Sequence, residues 1–219
     1  MLVYIHRSLY GSALPVVRET HVIVQLGMRV VFSHITPTIC YFRYRMVYIN
    51  SSTLVINSYY EHCIESFDVT TIEMKTYAGA CGTEDSQLTG HRINDVRLSS
   101  PTGVVFDGSQ MIYCLSSRDN TIIGIDTKSD MVHPVCYTSG VFGRSLAFDH
   151  STQSLFIALR NAIGKVEVSS GVLEVISGST TSGDSVGDLR TTKYNSIFNL
   201  LWVNSSTLMV SDQRNDRLV

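Results

Sequence analysis

Four times along the chain, three apolar residues run straight into an aspartate or asparagine: Val47-Tyr48-Ile49-Asn50, Val104-Val105-Phe106-Asp107, Leu146-Ala147-Phe148-Asp149 and Leu201-Trp202-Val203-Asn204. The four Asx residues are spaced 57, 42 and 55 residues apart. An Asx side chain bonds the backbone two residues on and so closes a turn. Behind each turn comes a second apolar run: Leu54-Val55-Ile56, Met111 to Leu115, Leu155-Phe156-Ile157 and Leu208-Met209-Val210. Two copies share the string Asn-Ser-Ser-Thr-Leu, at 50–54 and 204–208. A hairpin recurring at such a period means a repeat architecture, one supersecondary unit stacked on the next.

The clearest copy spans 97–139. Pro101-Thr102-Gly103 opens an extended run that stops at Asp107-Gly108, a pair suited to a tight hairpin. Met111 to Leu115 is a second strand, Ser116 to Asn120 a polar turn, Thr121 to Asp126 a third strand, and Met131 to Thr138 a fourth. Four short strands joined by tight turns in about forty residues make one blade of a β-propeller. The expected fold is therefore all-β, a β-propeller of four-stranded antiparallel blades near 45–80, 97–139, 141–178 and 197–219, the last cut off inside its third strand. Phe106, Phe148 and Trp202 fall at the same place in successive copies and should be buried equivalently. Residues 1–44 carry apolar runs broken by Gly11, Pro15, Gly27 and Pro37 without the repeat, and read as irregular or as the remnant of a preceding blade.

The two long spacings each hold a glycine-rich insertion, Tyr77 to Ser86 and Ile176 to Ser185. Glu84 and Asp85 lie in the first insertion, and Asp184 in the second with Asp188 just beyond it. Loops on a propeller rim are where ligands are recognised, so these four acids are the candidate binding residues, for calcium or a basic partner. Solvated loop charge is the simpler reading of them. Asn50-Ser51-Ser52 and Asn204-Ser205-Ser206 are glycosylation sequons on first-turn loops. Asn50 and Asn204 read first as turn formers.

With 17 basic against 19 acidic residues, the net charge of −2 supplies no global field for nucleic acid or an anionic membrane. Tyr41-Phe42-Arg43-Tyr44-Arg45 does mix the residue types that stack on single-stranded RNA, but its alternation suits a strand with one face in the core. No run reaches the roughly twenty apolar residues of a membrane-spanning helix, and the first residues do not form a signal peptide. The compartment stays open: a start inside a longer chain would make an extracellular protein equally compatible.

The five cysteines, Cys40, Cys63, Cys81, Cys114 and Cys136, include no C-x-x-C pair. Cys114 and Cys136 fall on the second and fourth strands of one blade, about 9 to 10 Å apart at the usual strand spacing, too far to bridge. Both are expected to be buried thiols. Cys63 and Cys81 are less constrained, and the expectation is that they too are unpaired. Seven histidines show no H-x-x-x-H or H-E-x-x-H spacing, and no phosphate-binding G-x-x-x-x-G-K loop occurs.

At Asn57 to Asp68, Tyr77-Ala78-Gly79, Gly82 to Asp85 and Ser100 to Val104 the chain is similar to the NHL-repeat family, whose blades carry an aspartate, an Asn-His pair, an Ile before the third strand and a closing Ala-Gly. His62-Cys63-Ile64 matches that region, as does Asn215-Asp216-Arg217-Leu218 after Ser211-Asp212. Departures are plain: Asn57-Ser58 replaces the Ala-Asp, Glu61 stands at the Asn, and the third copy, Ala158 to Ile163, lacks the acid. The resemblance covers about 46–219. It implies six-bladed closure, hence a fragment here, and self-association if the arc is complete as it stands. It places His62 in a turn contact.

Such propellers include RNA-binding modules through a basic rim and metal-dependent lyases that amidate peptides, with histidines from several blades. No catalytic, cofactor-binding or metal-ligating residue can be assigned to this chain on that pattern. The expected function is a non-enzymatic scaffold that contacts a protein partner through its rim loops, with no cofactor.

Overall fold

The computed structural model describes residues 45–83, 87–88, 91–138 and 143–219, together with three N-terminal strands. The chain divides into two compact units, Met1–Tyr41 and Phe42–Val219. In the first, β1 (Val3–His6), β2 (Thr20–Val24) and β3 (Val30–Phe32) form an antiparallel sheet in that order.

The second unit is a β-propeller whose blades follow one another along the chain. Blade I holds β4 (Met46–Tyr48), β5 (Thr53–Ser58), β6 (Cys63–Asp68) and β7 (Glu73–Ala78). A two-residue strand, β8 (His91–Arg92), then pairs with the outer edge of blade II, which comprises β9 (Pro101–Phe106), β10 (Met111–Ser116), β11 (Thr121–Asp126) and β12 (Met131–Tyr137). Blade III is β13 (Ser145–Asp149), β14 (Ser154–Ala158), β15 (Ala162–Glu167) and β16 (Val172–Gly178). Blade IV has three strands, β17 (Ile197–Asn204), β18 (Thr207–Asp212) and β19 (Arg217–Leu218), with a single 3₁₀ turn at Gln213–Asn215. The first strands of consecutive blades, β4, β9, β13 and β17, pack side by side along the axis.

The repeat is visible in the backbone itself. All four first turns are Asx turns: the Oδ1 atoms of Asn50, Asp107, Asp149 and Asn204 accept the N–H of Ser52, Ser109, Ser151 and Ser206 at 2.9, 2.7, 2.9 and 2.9 Å. The turn between second and third strands passes through a left-handed residue in blades I, II and IV, at His62 (φ 58°), Asn120 (φ 52°) and Asp216 (φ 48°). The turn between third and fourth strands does the same at Ile72, Asp130 and Gly171, each donating its N–H to the residue four before it.

Three apolar clusters lie between the blades, one at each junction. Val55, Ile64, Val104, Cys114 and Ile123 belong to the first, Leu115, Ile122, Leu146, Phe148 and Leu155 to the second, and Phe156, Ile163, Ile197, Leu200 and Val210 to the third. An aromatic step recurs at two of the junctions. Tyr113 stacks on Phe148 of the next blade with ring centroids 5.6 Å apart, and Phe156 meets Trp202 edge-on at 5.1 Å. The equivalent position in blade IV is Met209, which is 37% exposed and faces outward with its cross-strand neighbour Leu201. Phe148 is buried, whereas Phe106 and Trp202 are half-buried against their clusters. The three positions are equivalent, but the burial is unequal.

Cys114 and Cys136 are buried thiols on β10 and β12, and burial pushes both to higher pKa. Cys63 and Cys81 correct the sequence expectation: they form a disulfide with Cα atoms 5.0 Å apart. The chain leaves β7 at Gly79 (φ 92°) and doubles back, so that Gly82 N–H bonds Glu61 O at 2.8 Å and sets Cys81 beside the start of β6. No sequence period registers that reversal. Cys81→Ser opens a loop with an 18-residue separation and is expected to cost about 3 kcal/mol. Urea titration of oxidised native protein against the variant measures it, and a loss below about 1 kcal/mol would mean the bond contributes little to the fold.

Candidate binding rim

Each blade turns at two ends. The first-to-second and third-to-fourth strand turns lie on one rim, and the second-to-third turns, together with the segments between blades, lie on the opposite rim. The sequence candidates Asp184 and Asp188 fall on this second rim, in the segment between blades III and IV. Glu84 and Asp85 lie outside the described residues.

The 183–194 segment is a closed loop. At its base Gly183 N–H bonds Tyr194 O at 3.1 Å and Lys193 N–H bonds Ser185 O at 2.9 Å. At its tip the Asp188 carboxylate accepts Arg190 N–H (3.0 Å), Thr191 N–H (2.9 Å) and Thr191 Oγ1–H (2.8 Å) through one oxygen. These bonds, led by the Thr191 hydroxyl, hold the Asp188 pKa below the usual carboxylate range. Thr192, which is buried, donates its hydroxyl back to the carbonyl oxygens of Gly187 and Asp188. Asp188 thus shapes the loop, while Asp184 is exposed. Among its exposed polar residues the loop also presents two apolar side chains: Val186 is 68% and Leu189 63% exposed. Sequence reasoning chose the acids and passed over these two aliphatics.

Blade IV holds the loop in place. Arg217 Nε donates to Asp212 Oδ2 at 2.9 Å, and its two terminal nitrogens donate to Asp184 O at 2.6 Å and Lys193 O at 2.7 Å. Asn215 Nδ2 donates to Asp212 Oδ2 and to Gly183 O, at 2.7 and 2.8 Å. Asp212 is fully buried, and its other oxygen accepts Asn195 N–H at 2.7 Å. A buried carboxylate with a guanidinium, an amide and a backbone donor around it is a satisfied ionic node. It spans both ends of the loop.

Near the axis on the same rim, two arginines bracket the start of β17. Arg45 donates to Phe198 O at 3.0 Å and lies over the Phe198 ring, 5.1 Å from its centroid. Arg144 donates to Ser196 Oγ at 2.9 Å, and Ser145 Oγ donates to Asn199 Oδ1 at 2.7 Å. Of the aromatic-basic run at 41–45, only Arg45 lies among the described residues, and its guanidinium is engaged within the chain. His62 makes the turn contact: its Nδ1 accepts Ser100 N–H at 3.1 Å across the junction of blades I and II. Burial first, and Arg118 next, lower its pKa, against the opposing pull of Glu61 and Asp119. Among the described residues no group of three or more His, Cys, Asp or Glu is placed to hold a metal ion, and no helix is long and apolar enough to cross a membrane.

No protein-family model matches the chain, and no curated protein sequence matches it. Among solved structures it resembles β-propeller proteins. A nidogen/laminin complex aligns at 14% identity and a TM-score of 0.53, covering 74% of this chain and 52% of that one. An auxiliary nutrient binding protein from Bacteroides thetaiotaomicron aligns at 17% identity and TM-score 0.55, over 76% and 44%. A streptogramin B lyase aligns at 13% identity and TM-score 0.57, over 91% and 57%. At these identities the likeness is one of fold. The chain spans about half the length of each.

Two outcomes follow from the rim's geometry. Arg217→Met leaves Asp212 buried without its cation and is expected to cost about 3 kcal/mol or more, much of it restored when Asp212→Asn is added. Trypsin should also cut after Arg190 and Lys193 faster in Arg217→Met than in the native protein; equal cleavage rates would show that the loop does not depend on the node.

His62 has a folded pKa below its unfolded value, so its contribution to stability is present above about pH 6.5 and is lost as pH falls through the folded pKa. Asn at 62 tolerates the left-handed backbone and offers an uncharged acceptor to Ser100. Melting temperatures from about pH 7.5 to 5 should therefore fall less steeply in His62→Asn than in the native protein. Parallel curves would remove His62 as the source.

Proposed function

We propose that this chain is a non-enzymatic propeller module, of NHL type, that binds a protein partner through the rim carrying the 183–194 loop. The observation that carries the reading is the pairing of exposure with order: Val186 and Leu189 stand bare on a loop whose backbone is closed by its own hydrogen bonds and tied to blade IV through Arg217 and Asn215. Apolar side chains set among polar neighbours mark protein contact sites, and a loop already fixed in shape loses little further entropy when it docks. Asp184 and Arg190 beside them supply a polar surround of mixed sign. The nidogen/laminin neighbour shows the fold inside a protein complex, which supports the reading by analogy. For the alternatives, an RNA-binding NHL propeller or a metal-dependent lyase, no comparable site emerges from the described residues.

Photo-crosslinking from position 189, with position 151 on the opposite rim as control, tests the reading in extract from the native source. A protein adduct from 189, absent from 151 and lost in Val186→Ser, is the expected result. Equal adducts from both rims would refute rim-specific binding. An adduct between two copies of the chain would replace the heterologous partner with self-association, for which the outward Leu201, Val203 and Met209 of blade IV are available.

A further inference from the structure

We infer that Asn50 and Asn204 are N-glycosylated, so that sugar covers the rim opposite the 183–194 loop. Three observations meet here. The first is chemical. All four blades build the same Asx-x-Ser turn, with the hydroxyls of Ser52, Ser109, Ser151 and Ser206 donating to the Asx carboxyl or amide oxygen at 3.3, 3.0, 2.7 and 3.0 Å. Blades II and III close it with Asp107 and Asp149, so the turn itself does not require an amide. Blades I and IV nonetheless carry asparagine, and only those two tips complete a sequon.

The second observation is geometric. Asn50 and Asn204 are both exposed, and in each the Oδ1 atom is used by the turn. The Nδ2 atom of each donates to no protein atom among the described residues, so the nitrogen that carries a glycan is free in the folded chain while the oxygen keeps the turn. The third is the compartment. The Cys63–Cys81 disulfide belongs to an oxidising environment, the one in which sequons are modified. The sequon tips and the disulfide are different chemical features, and they point to the same pathway.

The reaction is a group transfer from a lipid-linked oligosaccharide. Nδ2 attacks the anomeric carbon of the first sugar, and the N–C bond forms as the bond from that carbon to the lipid pyrophosphate oxygen breaks. The amide nitrogen gives up one proton, and the lipid pyrophosphate leaves with the electron pair.

The placement follows from β18: Asn204 precedes Thr207–Asp212 and Asn215 follows it, so the sugar-bearing tip and the node that holds the 183–194 loop are separated by the strand's length, about 20 Å. Glycans at both tips leave the loop uncovered. This last clause rests on the proposed binding rim; the modification does not.

The test is mass spectrometry of protein purified from its native source, deglycosylated by an amidase in heavy-oxygen water and digested without reduction. Labelled aspartate at positions 50 and 204, with a linked Cys63–Cys81 peptide, is the expected result. Unmodified asparagine at either position overturns the inference. Asn50→Asp and Asn204→Asp keep the turn that Asp107 and Asp149 already make, and each should remove one step of the glycan ladder on a gel. Failure here leaves the crosslink from position 189 untouched, and failure of that crosslink leaves the glycan result standing.

Discussion

Everything in the propeller depends on sheets burying their faces against one another. A blade with neighbours on both sides has no solvent face, so its middle strands lose the alternation of a half-buried sheet. Met111–Ser116 is buried from Ile112 onward, and Ser154–Ala158 throughout. In blade IV, which among the described residues packs against blade III, the alternation returns along Thr207–Asp212. Its open face still carries Leu201, Val203 and Met209, side chains of the kind that covered faces use elsewhere in the chain. The aromatic steps from Tyr113 to Phe148 and from Phe156 to Trp202 show how specific each junction is. Met209 occupies the corresponding place in blade IV and is 37% exposed.

The hairpin turns make that stacking possible by fixing register. A slip of one residue would turn every inward side chain outward. The Asx oxygens at 50, 107, 149 and 204 and the left-handed residues at 62, 120 and 216 hold the strands in step. The two rims then acquire different characters. One is a set of near-identical short turns. The other gathers the segments between blades, where length and composition vary: the disulfide-clamped reversal after blade I, and the loop held by Asp212, Asn215 and Arg217 before blade IV. Diversity is confined to the rim on which stacking places no demand.

Much of this was legible in the chain. The apolar triplets and their Asx residues gave the blades, because a turn and the strand beside it are local and their chemistry repeats. The turn contact of His62 was implied by the resemblance to NHL repeats, and its Nδ1 accepts Ser100 N–H. The cysteines show the limit: Cys114 and Cys136 were constrained by one sheet's spacing, whereas the Cys63–Cys81 pairing needed the reversal at Gly79 and the bond from Gly82 to Glu61. The acids of the inter-blade loops drew notice because charge is conspicuous in sequence. Asp188 proved to be the loop's own scaffold, and the exposed Val186 and Leu189 had looked like ordinary apolar residues.

The sequence by itself determined the all-β repeat and the turn at each first-to-second-strand tip, since hydrogen bonds between residues two to four apart close those turns. Only the tertiary structure decided which cysteines meet, which aliphatic side chains stay in water, and on which rim each loop stands. Those outcomes depend on contacts between residues far apart in the chain, such as Arg217 with Asp184, and a one-dimensional pattern carries no record of them.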